Sequence, residues 1–382
     1  MSTPYSIKRH SCAITGNMDL EPLDKLKDFP VFMGCVDSPA SQDVSADMCW
    51  SISRKSGLIQ LANLIPLDIL YSESHGSGDV GRLWDLHHKE FANFIVDNAT
   101  TQSAFEIGGA HGRLCKEYMQ LKNIPWTILE PNPTPINGCP ARFIKGFFDE
   151  NFLYPEIFDT VIHSHVLEHI YKPDDFMNHL SRFMETGKRL VFSLPNMLAM
   201  LERKYTNCIN FEHSIFLTEP YVEYLLAKHG FKILAKEYFM DDHSIFYSAI
   251  RDTSVTPTLL PPDLYEVNKK LYTSYFDFHK ALIAELNQKM EQTTQSIYLF
   301  GAHVFAQYLL EMGLNTDKIV CILDNDPKKQ GRRLYGTNLA VASPNVLAAE
   351  KDPIVILKAG VYNDEIKKDI LENINKSTVF FE

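Results

Sequence analysis

Over the first 84 residues apolar and polar positions hold no sustained period. Ser, Asp and Pro are frequent there, and one apolar run, Gly57–Leu70, interrupts them. That stretch, 1–84, reads as a small irregular lobe. From about Asp85 a helical period sets in at Leu86, Phe91, Phe94 and Ile95. Short apolar runs then alternate with amphipathic ones. They predict strands at Ala104–Ile107, Trp126–Leu129, Thr160–His163 and Arg189–Leu194, and a helix at Asp174–Met184. Such alternation specifies an α/β fold, a mostly parallel sheet with helices on both faces. Near Gly230 it stops. Phe231–Tyr238 and Ser244–Ile250 follow with no helical pattern between them, which predicts an antiparallel hairpin closing the sheet.

Pro257, Pro261 and Pro262 mark a linker. A long amphipathic helix follows from Leu264 to about Gln292, with Leu271, Phe278, Leu282 and Leu286 on one face. A second α/β series then begins: strand Ile297–Phe300, helix Val304–Met312, strands Ile319–Leu323 and Ile354–Leu357. The expected units are therefore 1–84, 85–251, a connecting helix over 252–292, and 293–382.

A chain of 382 residues is long enough for two or three such cores. Its net charge of −11 argues against a nucleic-acid partner, which needs clustered Lys and Arg. The seven cysteines are odd in number and scattered, unlike a disulfide framework, so a reducing, cytoplasmic setting is expected. The opening residues lack the apolar core of an export signal, and no apolar run suffices to span a membrane.

The sharpest local signal is Ala104-Phe-Glu-Ile-Gly-Gly-Ala-His-Gly-Arg113, a strand running through glycines into a helix. Gly108, Gly109 and Gly112 let backbone approach a ligand closely. Glu106, just before them, suits a ligand with a cationic amine and opposes a pyrophosphate. Glu130, ending the next strand, is placed to accept both hydroxyls of a ribose, with Pro131 beside it. The spacing G-G-x-x-G and Glu106 both disfavour NAD.

These stretches, with Phe158-Asp-Thr-Val-Ile-His-Ser-His-Val-Leu-Glu-His169 and Arg189-Leu-Val-Phe-Ser-Leu194, resemble class I methyltransferases that use S-adenosylmethionine. The whole chain resembles the three-domain sugar C-methyltransferases, which act on nucleotide-linked deoxysugars. Ser56-Gly-Leu-Ile-Gln-Leu61 resembles the end of that family's zinc lobe, and Phe211-Glu-His-Ser-Ile-Phe-Leu-Thr218 its catalytic segment. Leu299-Phe-Gly-Ala302 and Leu323-Asp-Asn-Asp-Pro-Lys-Lys-Gln-Gly331 resemble its C-terminal domain. The resemblance implies a Rossmann-like central domain binding S-adenosyl-L-methionine, and a nucleotide sugar or related polar metabolite as substrate.

It further implies that His213, paired with Glu212, is the general base. His165 is expected at the donor and Phe148 beside its adenine, with Glu168 and His169 in supporting roles. The chain departs from the family in places. Asn210-Phe211 stands where a Tyr-His is usual, and Asp242-His243 where Gly-Gly is usual, so oxygen or nitrogen methylation stays open beside carbon methylation. In the lobe, the zinc knuckles read Cys12-Ala-Ile-Thr15 and Ser53-Arg-Lys-Ser56. Thr and Ser bind zinc poorly, so no metal is expected, although Cys35, Cys49 and His10 offer alternative ligands.

The turn Phe300-Gly-Ala-His303 has a single glycine, so a second dinucleotide site is not expected. Phe305 replaces a lysine usual in the family, and Lys328, Lys329, Arg332 and Arg333 could meet phosphates or simply be solvated. Two other functions remain open: a catalytically silent, donor-binding module and a nicotinamide-dependent enzyme using the C-terminal fold.

Overall fold

The computed structural model describes residues 6–71 and 82–382. The lobe contains a three-stranded antiparallel sheet, β1 (Leu20–Pro30), β2 (Ser45–Ser53) and β3 (Ile59–Leu61), in the order β1-β2-β3. This corrects the irregular reading. Bulges at Pro22/Asp24 and Leu26/Phe29 shift the side-chain alternation of β1, so no period of two survives in the sequence. The lobe's core is not its own. Trp50, Phe29 and Ile52 share one cluster with Phe211, Phe216, Tyr272, Tyr275 and Tyr308, residues from the rest of the chain.

The central unit opens with α1 (Arg82–Asn98), β4 (Ala104–Ile107), α2 (Arg113–Leu121), β5 (Trp126–Glu130), β6 (Arg142–Lys145) and β7 (Thr160–Ser164). It continues through α3 (Pro173–Phe183), β8 (Arg189–Pro195), α4 (Glu219–Lys228), β9 (Phe231–Phe239) and β10 (Ser244–Arg251). The seven strands lie in the order β9-β10-β8-β7-β4-β5-β6, with β10 antiparallel to both neighbours and the rest parallel. Both faces are covered, as parallel strands require. Phe105 and Ile107 point to α3 and α4 through Phe176, Leu180, Tyr221 and Leu225. Ala104 and Ile128 lie on the other face with Phe91, Ile95, Leu114 and Tyr118. The predicted closing hairpin is β9–β10.

The connecting helix α5 spans Leu264–Gln292. Leu282 and Leu286 are buried as predicted, but Phe278 is 42% exposed, and the buried stripe runs instead through Asn268, Tyr272, Tyr275 and His279. The C-terminal unit has β11 (Ile297–Phe300), α6 (Val304–Glu311), β12 (Ile319–Leu323), β13 (Val341–Ala342), β14 (Ile354–Leu357) and β15 (Val379–Phe381). These strands form an all-parallel sheet in the order β13-β12-β11-β14-β15.

The basic run after β12 is structural. Lys329 bonds Asp324 at 2.9 Å, Arg332 lies 3.3 Å from Asp37, and Arg333 grips Asp43 of the lobe through both terminal nitrogens at 2.6 Å. Beside that grip, Arg333–Leu334 pairs with Cys35–Val36, stitching lobe to C-terminal unit. Among the described residues no helix is long and apolar enough to cross a membrane.

Candidate active site

The carboxyl end of β4 runs through a turn into α2. The Gly108 amide donates to the Leu129 carbonyl at 2.8 Å, holding the turn against β5. Gly112 caps α2 at φ 76°, and a Cβ there would collide with the Cys139 sulfur. At Gly109 a Cβ would stand 2.7 Å from both the Glu106 carboxyl carbon and Ile128, so only glycine fits over the buried carboxyl.

Glu106 itself is sealed under this turn. It is 2% exposed, takes a hydrogen bond from the Trp126 indole at 2.7 Å, and burial pushes its pKa up to about 7. Its place is therefore beneath the loop as a support, rather than at an open ligand surface. Glu130 is at the strand tip as predicted. One oxygen accepts the Ala110 amide at 3.0 Å and the other the Asn132 amide at 3.1 Å, across the turn that Pro131 begins. Each oxygen keeps a further lone pair. This glycine-lined turn with a carboxylate at its rim fits a nucleoside with a ribose diol.

At the end of β7 the chain turns sharply, with His165 at φ 52°. The His165 ring does not face the glycine turn. Its Nε2 meets the Ser244 hydroxyl at 2.9 Å, and its Nδ1 lies 3.2 Å from Glu168 Oε1. Phe148 also goes elsewhere than expected. Half-buried, it packs on Phe176, His179 and Phe183 at the border of the core, and its neighbour Phe147 is 51% exposed.

Glu168 had been assigned to mere support. It is 1% exposed, neither carboxylate oxygen has a hydrogen-bond partner among the described residues, and burial raises its pKa. It stands between His165 and His169, whose Nε2 is 3.8 Å away. On its other nitrogen, His169 faces Glu212 at 3.6 Å, and its ring lies 5.1 Å from that of His213. The structure thus gathers Glu168, His169, Glu212 and His213 into one patch. Only chain folding shows this, because a sequence run such as Leu-Glu-His carries no sign of what faces it.

The N-terminal lobe holds this patch in place. The segment through His213 lies along β3: the Leu61 amide donates to the Ser214 carbonyl at 2.8 Å, and the Phe216 amide to the Ile59 carbonyl at 2.8 Å. Arg9 adds bonds to the carbonyls of Leu61, Ser214 and Tyr171, tying lobe, catalytic segment and the loop after His169 together. Asn210, the departure from the family tyrosine, accepts the His213 amide at 2.8 Å. His213 Nδ1 faces the Cys208 carbonyl at 3.2 Å. A carbonyl only accepts, so Nδ1 carries the proton and Nε2 keeps its lone pair. Burial lowers the His213 pKa, so the ring is neutral at neutral pH.

In the lobe, the former zinc positions bond one another. Cys12 meets the Ser56 hydroxyl at 3.2 Å, and Ser53 accepts the Ser56 amide while donating to Asp19. Cys35 and Cys49 are turned to Ala302 and Asn63 instead. Among the described residues, no cysteine belongs to either cluster of metal-ligating groups.

A twisted sheet with this strand order, a glycine turn after its first strand and a carboxylate on its second define a class I methyltransferase fold. A methyltransferase domain family matches residues 82–236, and a C-methyltransferase C-terminal domain family matches residues 268–381. The central unit is thus a methyltransferase domain, joined to a C-methyltransferase C-terminal domain. No curated protein matches it. Solved structures similar to it include the N-methyltransferase NodS from Bradyrhizobium japonicum WM9, at 13% identity and TM-score 0.35, covering 46% of this chain and 99% of that one. Another is the magnesium protoporphyrin IX methyltransferase from Synechocystis PCC 6803 with bound S-adenosylhomocysteine, at 17% identity and TM-score 0.35, covering 46% and 90%. A third is the 1,6-didemethyltoxoflavin N1-methyltransferase from Burkholderia thailandensis, at 13% identity and TM-score 0.36, covering 44% and 79%.

Proposed function

We propose that the enzyme methylates a nucleotide-linked sugar or a related polar metabolite, with His213 as general base. The observation that carries this reading is the orientation of His213: Nδ1 pinned to the Cys208 carbonyl, Nε2 left as a neutral acceptor. The glycine turn Gly108–Gly112, Glu130 and Pro131 would hold S-adenosylmethionine, with the Glu130 carboxylate on the ribose hydroxyls. When bound, the donor supplies an electrophilic methyl on a sulfonium, which needs an aligned, electron-rich nucleophile and little covalent help.

His213 takes the acceptor's proton on Nε2, and the adjacent carboxyl groups of Glu168 and Glu212 accommodate the resulting imidazolium. Burial raises the pKa of both carboxyls, that of Glu212 to about 7, so Glu212 is partly protonated at neutral pH in the free enzyme. The growing positive charge on His213 draws them to the ionised form. Asn210 is occupied with the His213 backbone, so one base serves the reaction. That suits a hydroxyl or amine acceptor, and equally a carbon already acidified by a neighbouring ketone. The resemblance of the C-terminal region to C-methyltransferase domains supports the carbon acceptor.

The decisive experiment incubates purified protein with methyl-labelled donor and a panel of nucleotide sugars, followed by mass spectrometry. Label in a sugar ring carbon supports the reading. Label in none of the panel, with turnover on another metabolite, refutes the sugar assignment.

A further inference from the structure

Beside the Glu168 patch, three histidines from distant parts of the chain converge. His87 comes from α1, His165 from the end of β7 and His243 from the β9–β10 turn. One ring nitrogen of each lies within 4.8 Å of the other two. We propose that His87, His165 and His243 bind one transition-metal cation of the zinc type, fastening α1 to the β9–β10 turn over the carboxyl edge of the sheet.

His87 carries the argument. It is fully buried, and among the described residues neither ring nitrogen has a hydrogen-bond partner. A buried polar group left unpaired is costly, and a cation accepted by its lone pair would relieve that cost. The spacing agrees with coordination. Three imidazoles on a tetrahedral ion, bonded at ~2.0–2.1 Å, have ring centres roughly 5 Å apart. Here the centres are 5.2 Å apart for His87 and His165, 5.5 Å for His87 and His243, and 6.1 Å for His165 and His243.

Two of the rings already point to a common place. His165 Nε2 and His243 Nδ1 both reach the Ser244 hydroxyl, at 2.9 and 2.7 Å. On the opposite side of His165, Nδ1 faces the Glu168 carboxyl at 3.2 Å. A carboxylate behind one nitrogen of a histidine leaves the other free for a metal and strengthens it as a ligand. All three rings are held neutral by burial, the state in which imidazole binds metal. Around them stand Trp84, 4.9–5.2 Å from each ring, and Phe239 and Phe246 beside His87, an apolar shell that excludes water. Nitrogen-only ligands in such a shell favour zinc and its neighbours over magnesium or calcium.

The test uses the full chain, stripped with chelator and titrated with Co²⁺. The expected result is one equivalent bound per chain, with the strong visible bands of tetrahedral cobalt, displaced by Zn²⁺. His87→Leu should lower the affinity about 100-fold or more, while S-adenosylhomocysteine binding and the circular dichroism spectrum stay at parent values. His243→Leu is a second, independent loss variant. Cys12→Ser should bind as the parent does. The proposal fails if the stripped parent takes up no cobalt. It also fails if both histidine variants bind as the parent does, or if only His213→Asn abolishes binding, which would place the ion on Glu168, His169 and His213. None of these readouts requires methyl transfer, so the proposed function can fail without deciding this result.

Discussion

The central and C-terminal units contain the same turn twice, and the two differ in how fully the acid at the strand tip is engaged. In each, a glycine amide after the first strand donates to the end of the second, Gly108 to Leu129 and Gly301 to Leu323, both at 2.8 Å. In each, a carboxylate at that second strand accepts the next loop amide, Ala110 on Glu130 at 3.0 Å and Ala302 on Asp324 at 2.9 Å. The difference lies in what surrounds the carboxylate. Asp324 is 8% exposed, and Lys329 and the Asp326 amide occupy its oxygens further. Glu130 is half-buried, and its described partners are the Ala110 and Asn132 amides alone. A strand–glycine–helix turn with an acidic tip is thus a way to close a βαβ unit, and it can take a ligand only where the acid remains available.

The comparison can be broken at several points, the largest effect first. His213→Asn should cut the single-turnover methyl-transfer rate by ~10²–10⁴ and leave S-adenosylhomocysteine affinity unchanged. A rate within threefold of the parent would remove His213 as the base. An affinity lost together with the rate would make it a structural residue.

Glu130→Ala should weaken S-adenosylhomocysteine binding by ~1–3 kcal/mol, read by calorimetry, because charge-assisted hydrogen bonds to the ribose are lost. Unchanged binding would mean that the ribose lies elsewhere.

Glu106→Gln tests the buried support beneath the loop. The Glu106 pKa is raised in the folded state to about 7 from 4.5. Between those values the folded protein holds a proton that the unfolded chain has lost, so stability falls as pH rises through this window. Glutamine accepts the Trp126 bond without a charge. The variant should therefore gain about 1–2 kcal/mol over the parent near pH 8 and nothing near pH 4 in denaturant titrations. An equal difference at both pH values would show that Glu106 is ionised in the fold.

The smallest effect belongs to the second turn. Asp324→Ala should leave S-adenosylhomocysteine affinity within twofold of the parent while lowering the melting temperature, since the Ala302 amide and Lys329 lose their partner. A large fall in affinity would dissolve the distinction between the two turns.

Much of this was legible in the chain alone. The strands β4, β5, β7, β8, β11, β12 and β14 are short apolar runs bounded by turns, and burial on both faces leaves them no other pattern. The helix-free gap between Phe231 and Ile250 announced the closing hairpin, and the glycines and Glu130 announced the strand-to-helix turn after β4. The lobe reads as irregular because β1 is bulged and the core is completed by Phe211, Phe216 and Tyr272 from elsewhere, although β2 does alternate, with Ala46, Met48, Trp50 and Ile52 inward.

The sequence by itself therefore determined the layered sheets, their boundaries and the kinds of residue at the strand ends, since these follow from local hydrophobic period and backbone permissiveness. Tertiary structure alone decided what those residues face. Glu106 went under its loop against Trp126, and Phe148 packed, half-buried, on Phe176 and Phe183. Arg333 crossed to Asp43, and Glu168, His169, Glu212 and His213 came together along β3. Contacts of that kind join positions far apart in the chain, and only the packing of whole elements fixes them; no local pattern of side chains can encode a partner that is distant in sequence.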